Sequence, residues 1–136
     1  MANIAKPCNA YAGGEAMRWA KSRYITGADG DNSYLVVPLP KKALVTRVLL
    51  DTKTGQTAAS TGTVSIGFTG NGEVQSDVYF KTAALVTATG ITEAVATNAG
   101  CKYFETSGGA ITIAVVKGTS AADYEGRVFV EYTVIH

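Results

Sequence analysis

The chain has one histidine, His136, and it is the terminal residue. A Ser-His-Asp or Cys-His device needs a positioned imidazole, and a terminal side chain is poorly placed to be one. There are two cysteines, Cys8 and Cys101. They are too few for a disulfide framework, and with His136 they fall short of the four N/S ligands of a structural zinc site. Two free thiols in a reducing compartment is the expectation. No apolar run approaches the about 18 residues of a helical membrane span. The start, Met-Ala-Asn-Ile-Ala-Lys-Pro-Cys, has neither the basic opening nor the apolar stretch of a signal peptide, so synthesis in the cytoplasm is expected. Charge is sparse: 17% of the 136 residues are charged and the net charge is +1, which argues against nucleic-acid binding by phosphate neutralisation.

What is present is apolar and strand-forming. The sequence is 46% hydrophobic, which excludes disorder on composition, and it carries 15 glycines and seven tyrosines among many Thr and Val. The clearest segment is Gly126-Arg-Val-Phe-Val-Glu-Tyr-Thr-Val-Ile135. Val128, Val130, Tyr132 and Val134 fall on one side; Arg127, Phe129, Glu131, Thr133 and Ile135 fall on the other. This period-2 alternation predicts a strand with one face in a core, closing a complete β module. The second face mixes polar and large apolar residues, as a partly covered sheet does, and is the first place to look for a neighbouring subunit.

The same pattern recurs upstream. Residues 1–14 hold Pro7 and Gly13-Gly14 and read as an extended N-terminal arm, leaving 15–136 as one domain. Glu15–Ile25 alternates weakly and reads as strand on its Trp, Tyr and Ile. Tyr34–Leu39 is closed by Pro38 and Pro40, which marks an edge strand or the end of a sheet because proline cannot donate to a ladder. Ala43–Asp51 is apolar on both faces and so central. Gly62–Thr69 points Val64, Ile66 and Phe68 inward, and Gly70-Asn71-Gly72 follows as a turn. Weaker segments at Asp77–Leu85, Ile91–Ala96 and Cys101–Thr106 precede Ala110–Lys117. Seven to nine short strands at such spacing, with no amphipathic helix beyond two turns, predict an all-β, antiparallel β-sandwich, jelly-roll-like.

Chemistry-bearing patterns are weak. Glu73, Asp77, Glu93, Glu105, Asp123, Glu125 and Glu131 could supply a glycosidase-like pair, but nothing ties two together and most sit in polar loops. Asp29, Asp31 and Ser33 resemble the opening of a calcium loop. Position 40, where the bidentate Glu would stand, is proline, and an Asx-rich turn is the ordinary reading. Gly67-Phe-Thr-Gly70-Asn-Gly72 lacks a P-loop Lys and reads as a hairpin. No cofactor is implied. Lys6, Arg18, Lys21, Arg23, Lys41 and Lys42 cluster towards the front, either as solvated charge or as a region that docks on an acidic partner surface.

Three segments resemble small virion proteins of tailed bacteriophages. The first is Tyr34-Leu-Val-Val-Pro-Leu-Pro-Lys-Lys-Ala-Leu-Val-Thr-Arg-Val, an apolar strand, Leu-Pro and a second apolar strand. The second is Gly62-Thr-Val-Ser-Ile-Gly67 with Asp77-Val-Tyr79 after its turn. The third is Thr112-Ile-Ala-Val-Val-Lys-Gly-Thr-Ser-Ala-Ala with Gly126-Arg-Val-Phe-Val-Glu-Tyr. Lys41-Lys42 and Glu73-Val-Gln-Ser depart from that pattern. The resemblance spans about residues 30–135 and implies a non-enzymatic capsid decoration protein on the outside of a phage head. Its partners would be the major capsid protein and neighbouring copies of itself, with no nucleic acid or membrane, assembled in the host cytoplasm. Under that reading Lys6, Arg18, Trp19, Lys21, Arg23, Phe129 and Ile135 are the candidate contact residues. A glycan- or host-surface-binding module of a tail or fibre, using Trp19 and tyrosines, is the alternative.

Overall fold

The computed structural model describes residues 17–26, 32–56, 61–94, 101–116 and 124–135. The expected arm at 1–14, Lys6, Cys8, Asp29, Asp31, Asp123 and His136 lie outside them. Ten strands are described: β1 (Arg18–Lys21), β2 (Ile25–Thr26), β3 (Asn32–Leu39), β4 (Ala43–Thr54), β5 (Thr63–Gly70), β6 (Ser76–Ala84), β7 (Gly90–Glu93), β8 (Lys102–Phe104), β9 (Gly109–Val116) and β10 (Glu125–Val134).

They form two antiparallel sheets. The first runs β1-β10-β4-β7, with β2 also on β10 and β8 also on β4; the second runs β3-β9-β5-β6. β1 and β2 are consecutive pieces of one edge, joined by Ser22, whose amide donates to Val128 O. β7 and β8 likewise continue one another along β4. Counted so, the described residues occupy eight strand positions, four in each sheet, and the chain crosses repeatedly between sheets. That connectivity is a jelly roll.

The core lies between the sheets. Val45, Val48, Leu50, Val128 and Val130 from the first sheet meet Val37, Leu39, Val64, Ile66, Phe68, Ile111, Ile113 and Val115 from the second, all buried. The alternation in β10 is as the sequence predicts from Arg127 to Glu131: Val128 and Val130 are buried while Arg127, Phe129 and Glu131 are partly exposed. Beyond the bulge opposite Glu131 and Tyr132 it fails, for Thr133, expected outward, is buried while Tyr132 and Val134 are only partly so. β4 keeps step with β10 by bulging. Glu131 pairs with Arg47 and Tyr132 with Val45, so Thr46 is the extra residue. The Thr46 hydroxyl donates to Glu131 Oε1 at 2.9 Å. β3 pairs only with β9, the edge that its prolines require, and β4 is central.

Two local features depart from the sequence reading. The segment expected as one strand over Glu15–Ile25 forms, in its described part from Met17, two short strands, broken where the Ser22 hydroxyl, rather than a ladder partner, accepts from Val128 N. β6 is also irregular. Its register on β5 jumps between Ile66↔Lys81 and Phe68↔Ser76, so residues of β6 lift out of the ladder. This brings Ser76 and Asp77 against the Gly67 backbone, where a Cβ would run into Ser76 O. Gly67 is therefore required by close approach rather than by a turn.

Candidate interaction surface

The outward face of the first sheet is built by register. Residues directly opposite on paired strands share a face. One row across the sheet is Lys21–Phe129–Leu49–Glu93. Beside it on one side runs Trp19–Glu131–Arg47, and on the other Arg127–Asp51–Ile91. Trp19, Leu49, Ile91 and Phe129 together line a shallow apolar depression. Trp19 is 50% and Ile91 63% exposed, unusual for residues of that size.

Charges surround this patch in opposite-sign pairs. Arg127 Nε bonds Asp51 Oδ2 at 3.0 Å and Arg47 Nε bonds Glu93 Oε1 at 3.3 Å. The Arg127 guanidinium also lies over the rings of Tyr24 and Phe129, 4.6 and 4.8 Å from their centroids. Only the Arg127–Asp51 pair is substantially sheltered, at 26% and 17% side-chain exposure. The Arg47–Glu93 pair is half in solvent and contributes little to stability.

Of the candidate contact residues, the structure brings Trp19, Lys21 and Phe129 together on this face. Arg18 is exposed but pairs with Tyr132, on the core-facing alternation, and Arg23 is exposed beyond the end of β1. Ile135 lies past β10, where its amide donates to Lys42 O. Leu49 and Ile91 are patch residues that the sequence reading did not single out. The signal for Leu49 was the doubly apolar pattern of Ala43–Asp51 on a central strand.

A second cluster sits at the far end of the second sheet. Asn71, at φ +58, lies in the turn after β5. Its Oδ1 accepts from Thr106 N at 2.9 Å and Ser107 N at 3.4 Å; its Nδ2 donates to Glu73 Oε2 at 2.6 Å and Tyr103 O at 3.3 Å. Lys102 Nζ reaches the same Glu73 oxygen at 2.5 Å and stands over the Phe68 ring, 4.3 Å from its centroid. The Lys102 ammonium, and then the Asn71 amide, hold the Glu73 carboxyl below the usual carboxylate range.

Five of the seven carboxylates considered for a catalytic pair have other partners. Glu73 goes to Lys102, Glu93 to Arg47, Glu125 to Lys53, Glu131 to Thr46 and Asp77 to Gln75. Among the described residues, no group of three or more His, Cys, Asp or Glu is placed to hold a metal ion. Cys101 is an exposed thiol.

No protein-family model matches the sequence, and no curated protein matches it. Solved structures do. A chain in the capsid asymmetric unit of cyanophage Pam1 superposes with a TM-score of 0.68 at 22% identity, over 98% of this chain and 94% of that one. The fold is shared with chains of bacteriophage capsids. A chain in the capsid of Ralstonia phage GP4 gives 0.64 at 18% identity, over 98% and 92%. One in the acid-stable capsid of Helicobacter pylori bacteriophage KHP30 gives 0.54 at 19%, over 87% and 93%.

Proposed function

We propose that the protein is a structural component of a bacteriophage virion, a decoration or cement subunit that binds the outer surface of the head and stabilises it. The observation that carries this reading is the end-to-end match to capsid chains of nearly its own length. The jelly-roll body is thus the whole of the neighbour and not a module within a larger shell subunit. The surface supports the same reading. A rigid, nearly neutral sandwich with a rimmed apolar face suits binding by shape and apolar burial in symmetric repetition. The protein would work as a single β-sandwich domain preceded by its N-terminal arm. It would contact the major capsid protein and neighbouring copies, with Lys6, Arg18, Lys21 and Arg23 near the docking region and no reaction to catalyse.

The test is reconstitution. Purified protein added to capsids that lack it should bind at fixed stoichiometry and raise the temperature at which they open. Absence of saturable binding, or binding with no gain in heat resistance, counts decisively against the reading. Half-exposed Trp19 favours one alternative, a glycan-binding tail or fibre module. Glu131 is its cross-strand neighbour, but the depression itself is lined by apolar side chains alone, which suits a protein face better than a sugar. Reproducible hits on a glycan array that vanish in Trp19→Ala would favour that alternative.

A further inference from the structure

The outward face of the first sheet is complementary to itself, and we infer that it binds a second copy of this chain about a two-fold axis parallel to the strands. The inference adds to the capsid reading and does not depend on it. Two identical faces packed against each other are related by an axis lying in the contact plane. Let that axis run along the strands, midway between β10 and β4. Each β10 residue then faces the copy of its own cross-strand neighbour on β4. Arg127 meets the second copy's Asp51, Glu131 meets its Arg47, and Phe129 meets its Leu49. One strand further out, Lys21 meets its Glu93. Every charged position in these three rows faces the opposite sign, and the apolar pair lies at the centre.

The perpendicular in-plane axis is worse. It sets Lys21 on Lys21 and Glu93 on Glu93, and like charges held together disfavour a contact. These three rows carry three cations (Lys21, Arg47, Arg127) and three anions (Asp51, Glu93, Glu131), and the Lys53–Glu125 pair beside them is itself neutral. The face has no net field to attract a polyanion or a strongly charged protein surface. Aligned packing of two sheets tolerates strand directions within about 30° of each other, so the row-on-row match survives sheet twist.

Sedimentation equilibrium of the full chain from micromolar to millimolar concentration tests this, with the emission of Trp19, the sole tryptophan, as a second readout. A monomer–dimer equilibrium is expected, with Trp19 emission shifting to the blue as dimer forms. Leu49→Glu should weaken the dimer by at least about 30-fold, as loss of a central apolar contact does. Ile91→Glu, at an exposed edge position, serves the same purpose if Leu49→Glu folds poorly; unchanged thermal melting certifies either variant. Lys21→Glu and Glu93→Lys should each weaken self-association about 5-fold, and an equimolar mixture of the two should recover wild-type affinity. A monomer throughout the range, a dimer indifferent to both apolar substitutions, or a mixture no tighter than its components overturns the inference. Capsid binding separates the two readings. A monomer that still decorates heads removes the dimer alone, and a dimer that ignores heads removes the capsid role alone.

Discussion

The Asn71 turn offers a sharp test of what holds the second sheet together, through two substitutions of opposite character. Asn71→Ala removes the acceptor for Thr106 and Ser107 amides and the donor to Tyr103 O, and puts alanine at φ +58. At roughly 1 kcal/mol per neutral hydrogen bond and about 1–2 kcal/mol for alanine in the left-handed region, the loss is about 3–5 kcal/mol. That corresponds to a fall of roughly 10–20 °C in Tm for a domain of this size. Asn71→Asp is subtler. It keeps the left-handed tolerance and the acceptor oxygen but turns the donor facing Glu73 into a second carboxylate. In the wild type, the lowered Glu73 pKa is a stabilisation present above the unfolded value of 4.5 and lost as pH falls through the folded one. In Asn71→Asp, the new carboxyl is raised by its neighbour, so its penalty is present at neutral pH and relieved on acidification. The stability gap between wild type and Asn71→Asp should therefore be widest near pH 7 and close below about pH 4. Urea unfolding at several pH values measures it. A gap independent of pH would refute the claim that the Asn71–Glu73 contact secures the turn.

Three further outcomes are expected. Gly67→Ala should cost at least about 3 kcal/mol in urea unfolding because Ser76 and Asp77 backbone occupies the Cβ position, whereas Gly72→Ala, with its nearest neighbour 3.7 Å away, should cost only the about 1–2 kcal/mol of its positive φ. Lys102→Met keeps the aliphatic stem over Phe68 but removes the ammonium; the Glu73 carboxyl, followed by NMR titration, should rise towards its ordinary pKa. Burial pushes the Tyr124 hydroxyl up to about 12, so the wild type should lose stability as pH rises from about 10 to 12 by up to about 2 kcal/mol more than Tyr124→Phe, while Tyr124→Phe should cost about 1 kcal/mol at neutral pH through the lost bond to Thr52.

How much of this was legible beforehand follows from the range of each interaction. The faces of β10 up to Glu131, the inward face of β5, the edge position of β3 and the centrality of β4 rest on period-2 alternation and on proline chemistry, which are local and visible in sequence. The face residue Phe129 was legible for the same reason. What escaped was non-local. Gly70-Asn71-Gly72 reads as a turn, but nothing in it reports that Asn71 will bond to Thr106, or that Glu73 will answer Lys102 rather than another carboxylate. Gly67 reads as a small outward residue; the bulge of β6 that fills its space is a tertiary event. The patch was half legible, because Ile91 joins it only through pairing of β7 with β4.

The jelly-roll order also has a kinetic side. The bond from Val128 N to Ser22 Oγ joins residues 106 apart, and the ion pair Arg127–Asp51 joins residues 76 apart. The first sheet can therefore form only after long loops have closed, an entropic cost met before any contact rewards it. The β5–β6 turn closes over a handful of residues and has no such delay. On loop-closure entropy, the β5–β6 turn is favoured to form before the β10 pairings that build the Trp19 face, which would place the self-complementary surface late in folding. A chain that is still incomplete does not yet carry the face with which to find its partner.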